Sequence, residues 1–145
     1  MSKDKATFHV GVIISLYNSK GQILLAKRAP FKTHAANVWE NISGGVEAKE
    51  QPIEALDREM CEELGESVKY RVEDIYNTFQ TILQNDRNII GICFLCEYLG
   101  GEINLNEEHT EYKWVSLDEA IQLTDTLGLK EEFKLLKEKY PKIFT

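Results

Sequence analysis

The stretch from Gly44 to Gly65 limits what this chain can be more than any other, because it joins a glycine pair to a helix with marked ends and an excess of acid. Pro52 stands where a helix tolerates proline best, in its first turn, and Gly65 stands where chains commonly leave a helix through a left-handed conformation. The spacing predicts a helix from about Pro52 to Leu64. At about 100° per residue, Ile53, Leu56, Met60 and Leu64 form one apolar stripe, while Glu59, Glu62 and Glu63 fall on an adjoining face. Like charges at these spacings destabilise a helix by roughly 0.2–0.5 kcal/mol per pair, so something should offset them. A divalent cation such as Mg²⁺ or Mn²⁺ would, since hard cations prefer carboxylate and carbonyl oxygens. A solvated acidic face, the usual fate of a charge cluster, is the alternative.

Taken as a unit, Gly44, five residues, Glu50, seven residues, then Arg58-Glu59-Met60-Cys61-Glu62-Glu63-Leu64-Gly65 resembles the signature of the Nudix hydrolase family. One position departs: Glu66 stands where the family usually has an aliphatic residue, which bears on the packing after the helix and not on the metal ligands. The order of the remaining segments also looks like this family, with a hairpin before the signature, a strand carrying Trp39 into it, and Glu108-His109-Thr110-Glu111-Tyr112-Lys113-Trp114 after it.

The resemblance implies an α/β fold, an α/β/α sandwich with a mixed β-sheet. It also implies a reaction: water attacks a phosphorus in a nucleoside diphosphate linked to another moiety X, with Mg²⁺ or Mn²⁺. By position in the signature, Glu59, Glu62 and Glu63 would be metal ligands, with Glu62 or Glu59 placed to influence the attacking water. A backbone carbonyl of Ser43 or Gly44 would add a further oxygen, which suits glycines where backbone must approach an ion. Arg58 would hold Glu50 or Glu59 in place, although a purely structural ion pair fits equally, and Glu47 would flank the site. A carboxylate before Trp114 serves such enzymes as ligand or base; Glu111 is the first choice and Glu108 the second.

A chain of 145 residues has the length of one ordinary domain, so residues 1–145 are expected to form a single one. With 43% hydrophobic and 28% charged residues it has the composition of a soluble globular protein. A net charge of −7 argues against a polymeric nucleic acid partner, which requires clustered Lys and Arg. A small phosphorylated substrate stays compatible, since a bound cation supplies positive charge locally. The apolar run from Val10 to Leu16 is interrupted and lacks a cleavage site, so neither a signal peptide nor a membrane span is expected. Three cysteines, an odd number without secretory features, favour reduced thiols in the cytoplasm. A homodimer is left open.

Along the chain, Phe8–Tyr17 and Gln22–Arg28 read as a β-hairpin about the turn residues Asn18-Ser19-Lys20-Gly21. Lys27 and Arg28, at the end of the second strand, are candidate substrate-binding residues for an anion, against the alternative of surface charges capping a strand. His34 in the following loop has no partner at ligand spacing and is given no role. Trp39–Ile42 looks like a short strand leading to a glycine loop, and Val68–Leu83 suggests one bent strand or two short ones. Gln84–Asn88 reads as a turn, and Ile89–Leu99 as a strand covered on both faces. Within it, Cys93 and Cys96 lie three apart and so point to opposite faces, which makes them core residues and not a chelating pair. Glu102–Thr110 reads as an acidic loop, Glu111–Val115 as a short strand, Ser116 and Glu119 as a capping box, and Gly128 to about Tyr140 as an amphipathic helix.

Two other functions fit parts of the pattern. An isomerase acting on an allylic diphosphate occurs on a related fold but needs a catalytic cysteine, and none of the three is well placed. A non-catalytic nucleotide sensor would be expected to have lost the signature carboxylates, which are intact here. Which X is removed is carried by variable loops and is not readable from the signature.

Overall fold

The structure is a computed structural model that describes residues 5–32, 36–83 and 87–144; His34 and most of the turn expected at Gln84–Asn88 lie outside the described residues. Its first two strands, β1 (His9–Tyr17) and β2 (Ile23–Arg28), follow the valine, isoleucine and leucine runs. The turn between them is held by Asn18, whose Oδ1 accepts from the backbone N–H groups of Lys20 and Gln22, both at 3.0 Å. The two strands nevertheless pair only at Tyr17 and Ile23 and then part. β1 continues against β4 (Ile42–Gly45), whereas β2 continues against β3 (Trp39–Glu40) and β7 (His109–Val115). What reads as a hairpin is therefore a hinge between two halves of one sheet.

β1 also pairs in parallel along its length with β6 (Arg87–Gly100), and β6 pairs antiparallel with the edge strand β5 (Lys69–Leu83). One parallel pairing among antiparallel ones makes the sheet mixed. β5 is a single long strand whose register shifts near Lys69, Val72 and Ile75, the bend anticipated for this segment. The glycine pair is not a loop: Gly44 and Gly45 are the last residues of β4, with the turn following them.

Among the described residues three helices cover the sheet: α1 (Pro52–Leu64) on one face, α2 (Leu117–Leu123) and α3 (Leu127–Lys139) on the other. Under α1, Leu56, Met60 and Leu64 join Val12, Ile14, Leu24 and Ile42 in one buried cluster. Burial of each such side chain contributes about 1.5–3 kcal/mol. Ile53, expected in that stripe, is instead exposed beside Pro52 in the first turn, and Ala55 is buried. On the opposite face Phe133 and Leu136 of α3 pack with Ile23, Leu25, Leu95 and Val115. β6 feeds both layers, with Cys96 in the first cluster and Cys93 in the second. The α/β/α arrangement is thus the one the pattern implied.

The helix ends are marked locally. Gln51 donates its N–H to the Glu54 carboxylate at 2.9 Å before α1, and Ser116 accepts from the Glu119 N–H at 3.1 Å before α2. Gly65 ends α1 at φ 94°, ψ 158°, a conformation with positive φ but not the left-handed helical one expected. Glu66, the departure from the signature, is exposed, and Val68 supplies the buried contact two residues later.

Candidate active site

Docking of Leu56, Met60 and Leu64 turns the neighbouring Glu59 and Glu63, one helical turn apart, inward, Glu59 toward Gly44 of β4 and Glu63 toward His109 of β7. Glu59 is 8% exposed and Glu63 only 4%. Gly44 makes this possible: a β-carbon there would overlap the Glu59 carboxyl group. Glu62, the third carboxylate, stays at the exposed rim.

Arg58 ties the turn after β4 to the helix. Its Nε donates to Glu50 Oε2 at 2.8 Å and its Nη1 to Glu59 Oε1 at 2.8 Å. Its Nη2 donates to the Gly45 carbonyl at 2.8 Å and to Glu50 Oε1 at 3.0 Å. Glu50 also accepts from the Glu47 N–H at 2.9 Å. These bonds, Arg58 first and the Glu47 N–H second, hold the Glu50 carboxyl down to about 2. The pairing expected of Arg58 is thus present with both Glu50 and Glu59.

Behind Glu63 stand two residues that the sequence reading gave no role. His109 is buried, with its Nε2 2.9 Å from Glu40 Oε2 and its Nδ1 3.6 Å from Glu63 Oε1. Burial raises the Glu63 carboxyl well above the ordinary range, and the neighbouring charges of Glu59, Glu108 and Glu40 raise it further. Glu63 Oε2 and His109 Nδ1 are both buried without a hydrogen-bond partner. The signal for His109 was present in the Glu108-His109 stretch, since a histidine beginning a short strand faces one side of the sheet. Glu40 could have been found from alternation, because it pairs with buried Ala26 and so shares its face.

Among the described residues no three His, Cys, Asp or Glu side chains are already gathered as a cation cage. The donors nonetheless fit a divalent cation. A buried carboxylate oxygen lacks a partner, the carboxylates are crowded, and the backbone opposite them is glycine. Glu59, Glu62 and Glu63 are the side chains that would hold it, with a carbonyl from Ser43 or Gly44.

The other expected residues are distributed more widely. Arg28 pairs with Glu40 at 3.3 Å and so reaches the site, whereas Lys27 turns to the opposite face, its Nζ 6.0 Å from the Trp39 ring centre. Glu111 is exposed and lies opposite Lys27 in the ladder, on the face that carries α2 and α3, so it does not join the Glu59 and Glu63 carboxyls. Glu108, the second choice, bonds Lys32 at 2.9 Å, which lowers its carboxyl.

Comparison with known proteins agrees with this fold. A family model for the NUDIX domain matches residues 7–137. The nucleoside triphosphatase NudI of Klebsiella pneumoniae is 31% identical over 119 residues, covering 77% of this chain and 84% of that protein. Its counterpart from Escherichia coli O139:H28 is 27% identical over 132 residues, covering 86% and 94%. Among solved structures, the MutT protein of Methanosarcina mazei superposes with a TM-score of 0.77 at 26% identity, covering 94% of this chain and 99% of that one. A C. elegans Ap4A hydrolase shares the fold at 18% identity, with a TM-score of 0.75 over 92% and 98% of the two chains.

Proposed function

The chain belongs to the NUDIX family and is a pyrophosphohydrolase; from that premise we propose that it hydrolyses a small nucleoside triphosphate or related nucleotide with Mg²⁺ or Mn²⁺. The carrying observation is the buried pair on α1, Glu59 against Gly44 and Glu63 with a partnerless buried oxygen, with Glu62 exposed on the same helix. The likeness to nucleoside triphosphatases over most of the chain supports the substrate class.

When bound, the cation offsets phosphate charge and makes a neighbouring water more acidic. The protein's own groups set the geometry. Arg58 holds Glu59 and the Gly45 carbonyl in place. His109 backs Glu63 and is itself fixed by Glu40. Glu62 is the least encumbered of the three carboxylates, touched by Arg58 only at 3.5 Å, and so takes the proton of the attacking water. The water oxygen bonds to phosphorus, the bridging P–O bond breaks, and catalysis is chiefly positioning and electrostatics. Arg28 stands where it can meet a phosphate beside Glu40.

The isomerase reading lacks its nucleophile. Cys61 is exposed on α1, while Cys93 and Cys96 are core residues whose thiols burial raises, that of Cys96 to about 12. We place the protein in the cytoplasm and read residues 1–145 as one domain. Its three thiols are free, and among the described residues no helix is long and apolar enough to cross a membrane. The test is hydrolysis of a panel of nucleoside triphosphates, ADP-ribose, dinucleoside polyphosphates and NADH with Mg²⁺ in ¹⁸O-water, with phosphate and pyrophosphate separated. Turnover is expected to fall by about 100-fold or more in Glu62→Gln. Lack of turnover on the whole panel, or an unaffected Glu62→Gln enzyme, overturns the reading.

A further inference from the structure

The parting of β1 and β2 opens a passage through the sheet. A cavity of about 250 Å³ occupies it, bordered by Arg28, Glu40 and Ser43 on the side of the carboxylates and by Gly128 and Glu132 of α3 on the other. The same Gly128 and Glu132 border a second cavity of about 630 Å³ between α3 and β5, whose walls include Asn77, Phe79 and Leu135. That volume lies within the roughly 300–1,000 Å³ of small-molecule sites. One end of the passage touches the catalytic group, through Glu40 to His109 and from His109 to Glu63. The other end has Glu132 at its threshold.

We infer that the cleft between α3 and β5 seats the nucleobase of the substrate, and that Glu132 is the specificity-determining residue that reads its N–H edge. This rests on the reading of the protein as a nucleotide hydrolase and assigns the part of the substrate that does not react. The chemistry of the walls selects such a group. Phe79 and Leu135 offer apolar surface to a flat ring, and Asn77 and Gln80 offer amides at its edge. Glu131, Glu132 and Glu138 outnumber Lys134 on the same walls, and Lys134 is paired with Glu131, so the net acidic lining directs the charged end of a nucleotide back through the passage toward Arg28 and the cation-binding carboxylates.

Glu132 itself is built as a fixed reader. Tyr76 donates its hydroxyl to Glu132 Oε1 at 3.0 Å, and that hydroxyl is also 3.0 Å from the buried Ser15 Oγ. The Cys93 thiol bonds the same carboxyl from the sheet side, and burial raises the carboxyl above its ordinary value. A half-buried carboxyl over an otherwise apolar cluster of Tyr76, Cys93 and Phe133 has no packing advantage over a leucine. Its anchored geometry instead suits an acceptor for a base amino or ring N–H group. A site that hydrogen-bonds a ligand discriminates strongly, because the wrong ligand leaves its polar groups unpaired.

The test is equilibrium binding, by calorimetry without added metal, of AMP, GMP, CMP and UMP to the wild-type protein, Glu132→Gln and Tyr76→Phe, with melting temperatures recorded for all three. Glu132→Gln keeps the volume and an oxygen for Tyr76 while exchanging an acceptor for a donor. Wild type is expected to separate the best from the worst base by about tenfold or more. Glu132→Gln should narrow or reorder that ranking at a melting temperature close to wild type, and Tyr76→Phe, which only loosens the anchor, should weaken it partway. Absence of base discrimination in wild type, or an unchanged ranking in Glu132→Gln, overturns the inference. The two readings separate: base-selective binding that depends on Glu132, in a protein without turnover, overturns hydrolysis and leaves this assignment standing. Turnover whose base preference survives Glu132→Gln does the reverse.

Discussion

Gly44 shows how much a single missing atom can decide. It has no need of unusual backbone angles; it is glycine because the Glu59 carboxyl occupies the space of its β-carbon. Gly44→Ala must push Glu59 aside and strain its bond to Arg58, at a cost of about 1–3 kcal/mol in stability. Activity should fall by an order of magnitude or more beyond what the drop in melting temperature explains, and Mg²⁺ affinity should weaken in parallel. An alanine variant that hydrolyses nucleotides normally would show that Glu59 need not sit where it does. Glu50 offers a second measurement at this scale. Its folded value of about 2 lies below the ordinary carboxylate value of ~4.3, so its stabilising contribution is present above about 4.3 and lost as pH falls toward 2. A ¹³C carboxyl titration should find that midpoint near 2 in wild type and close to ~4.3 in Arg58→Ala. Equal midpoints in the two proteins would remove Arg58 as the cause.

At the scale of elements, α1 is where sequence and structure agree best, and the reason is local. Pro52 and Gly65 punctuate it, and its apolar residues recur at helical spacing, so its bounds follow from the chain alone. The exception, Ile53, marks the limit of periodicity: a residue in the first turn can share the stripe's angle and still overhang the edge of the sheet. Leu56→Ala should therefore destabilise by roughly 2–5 kcal/mol, whereas Ile53→Ala should stay within about 0.5 kcal/mol. Denaturant melts of the two variants check this, and comparable losses would mean that the helix docks in a different rotation. The strands before and after α1 were legible as strands but not as partners. Nothing near Asn18-Ser19-Lys20-Gly21 distinguishes a closed hairpin from one that opens after a single pairing, because the partners that pull β1 and β2 apart are β6 and β7, some 70 or more residues away in the chain. The place of Glu111 in the sheet also depends on distant pairing. β7 begins at His109, and a register shift between Lys27 and Arg28 pairs Arg28 with His109 but Lys27 with Glu111, so the irregularity, and not simple alternation, puts Glu111 on the face away from α1.

For the whole molecule, the reaction class was legible in one contiguous signature, while the groups that support it are assembled from distant strands. Glu40 on β3, His109 on β7 and Glu63 on α1 meet only after folding, and their meeting creates an electrostatic debt that couples stability to pH and to cation. The Glu63 carboxyl is raised by burial and by neighbouring carboxylates, so the folded state favours its protonated form. That contribution is present below the unfolded value of ~4.3 and is lost as pH rises through the raised folded value. In chelator-treated protein the melting temperature should accordingly decline from mildly acid toward alkaline pH, apart from titrations elsewhere. A divalent cation binds the ionised carboxylate, releases its proton and stabilises the fold by mass action. The gain in melting temperature from 10 mM Mg²⁺, a concentration of the order needed for a weakly held ion, should thus be larger at pH 8.5 than at pH 5.5. Glu63→Gln, which is neutral throughout, should be less sensitive to pH without metal and should lose most of the Mg²⁺ gain. Scanning calorimetry of both proteins at the two pH values decides the matter: an Mg²⁺ increment that is the same at both, or that survives in Glu63→Gln, would show that the acid gathered under α1 is not held there for a cation.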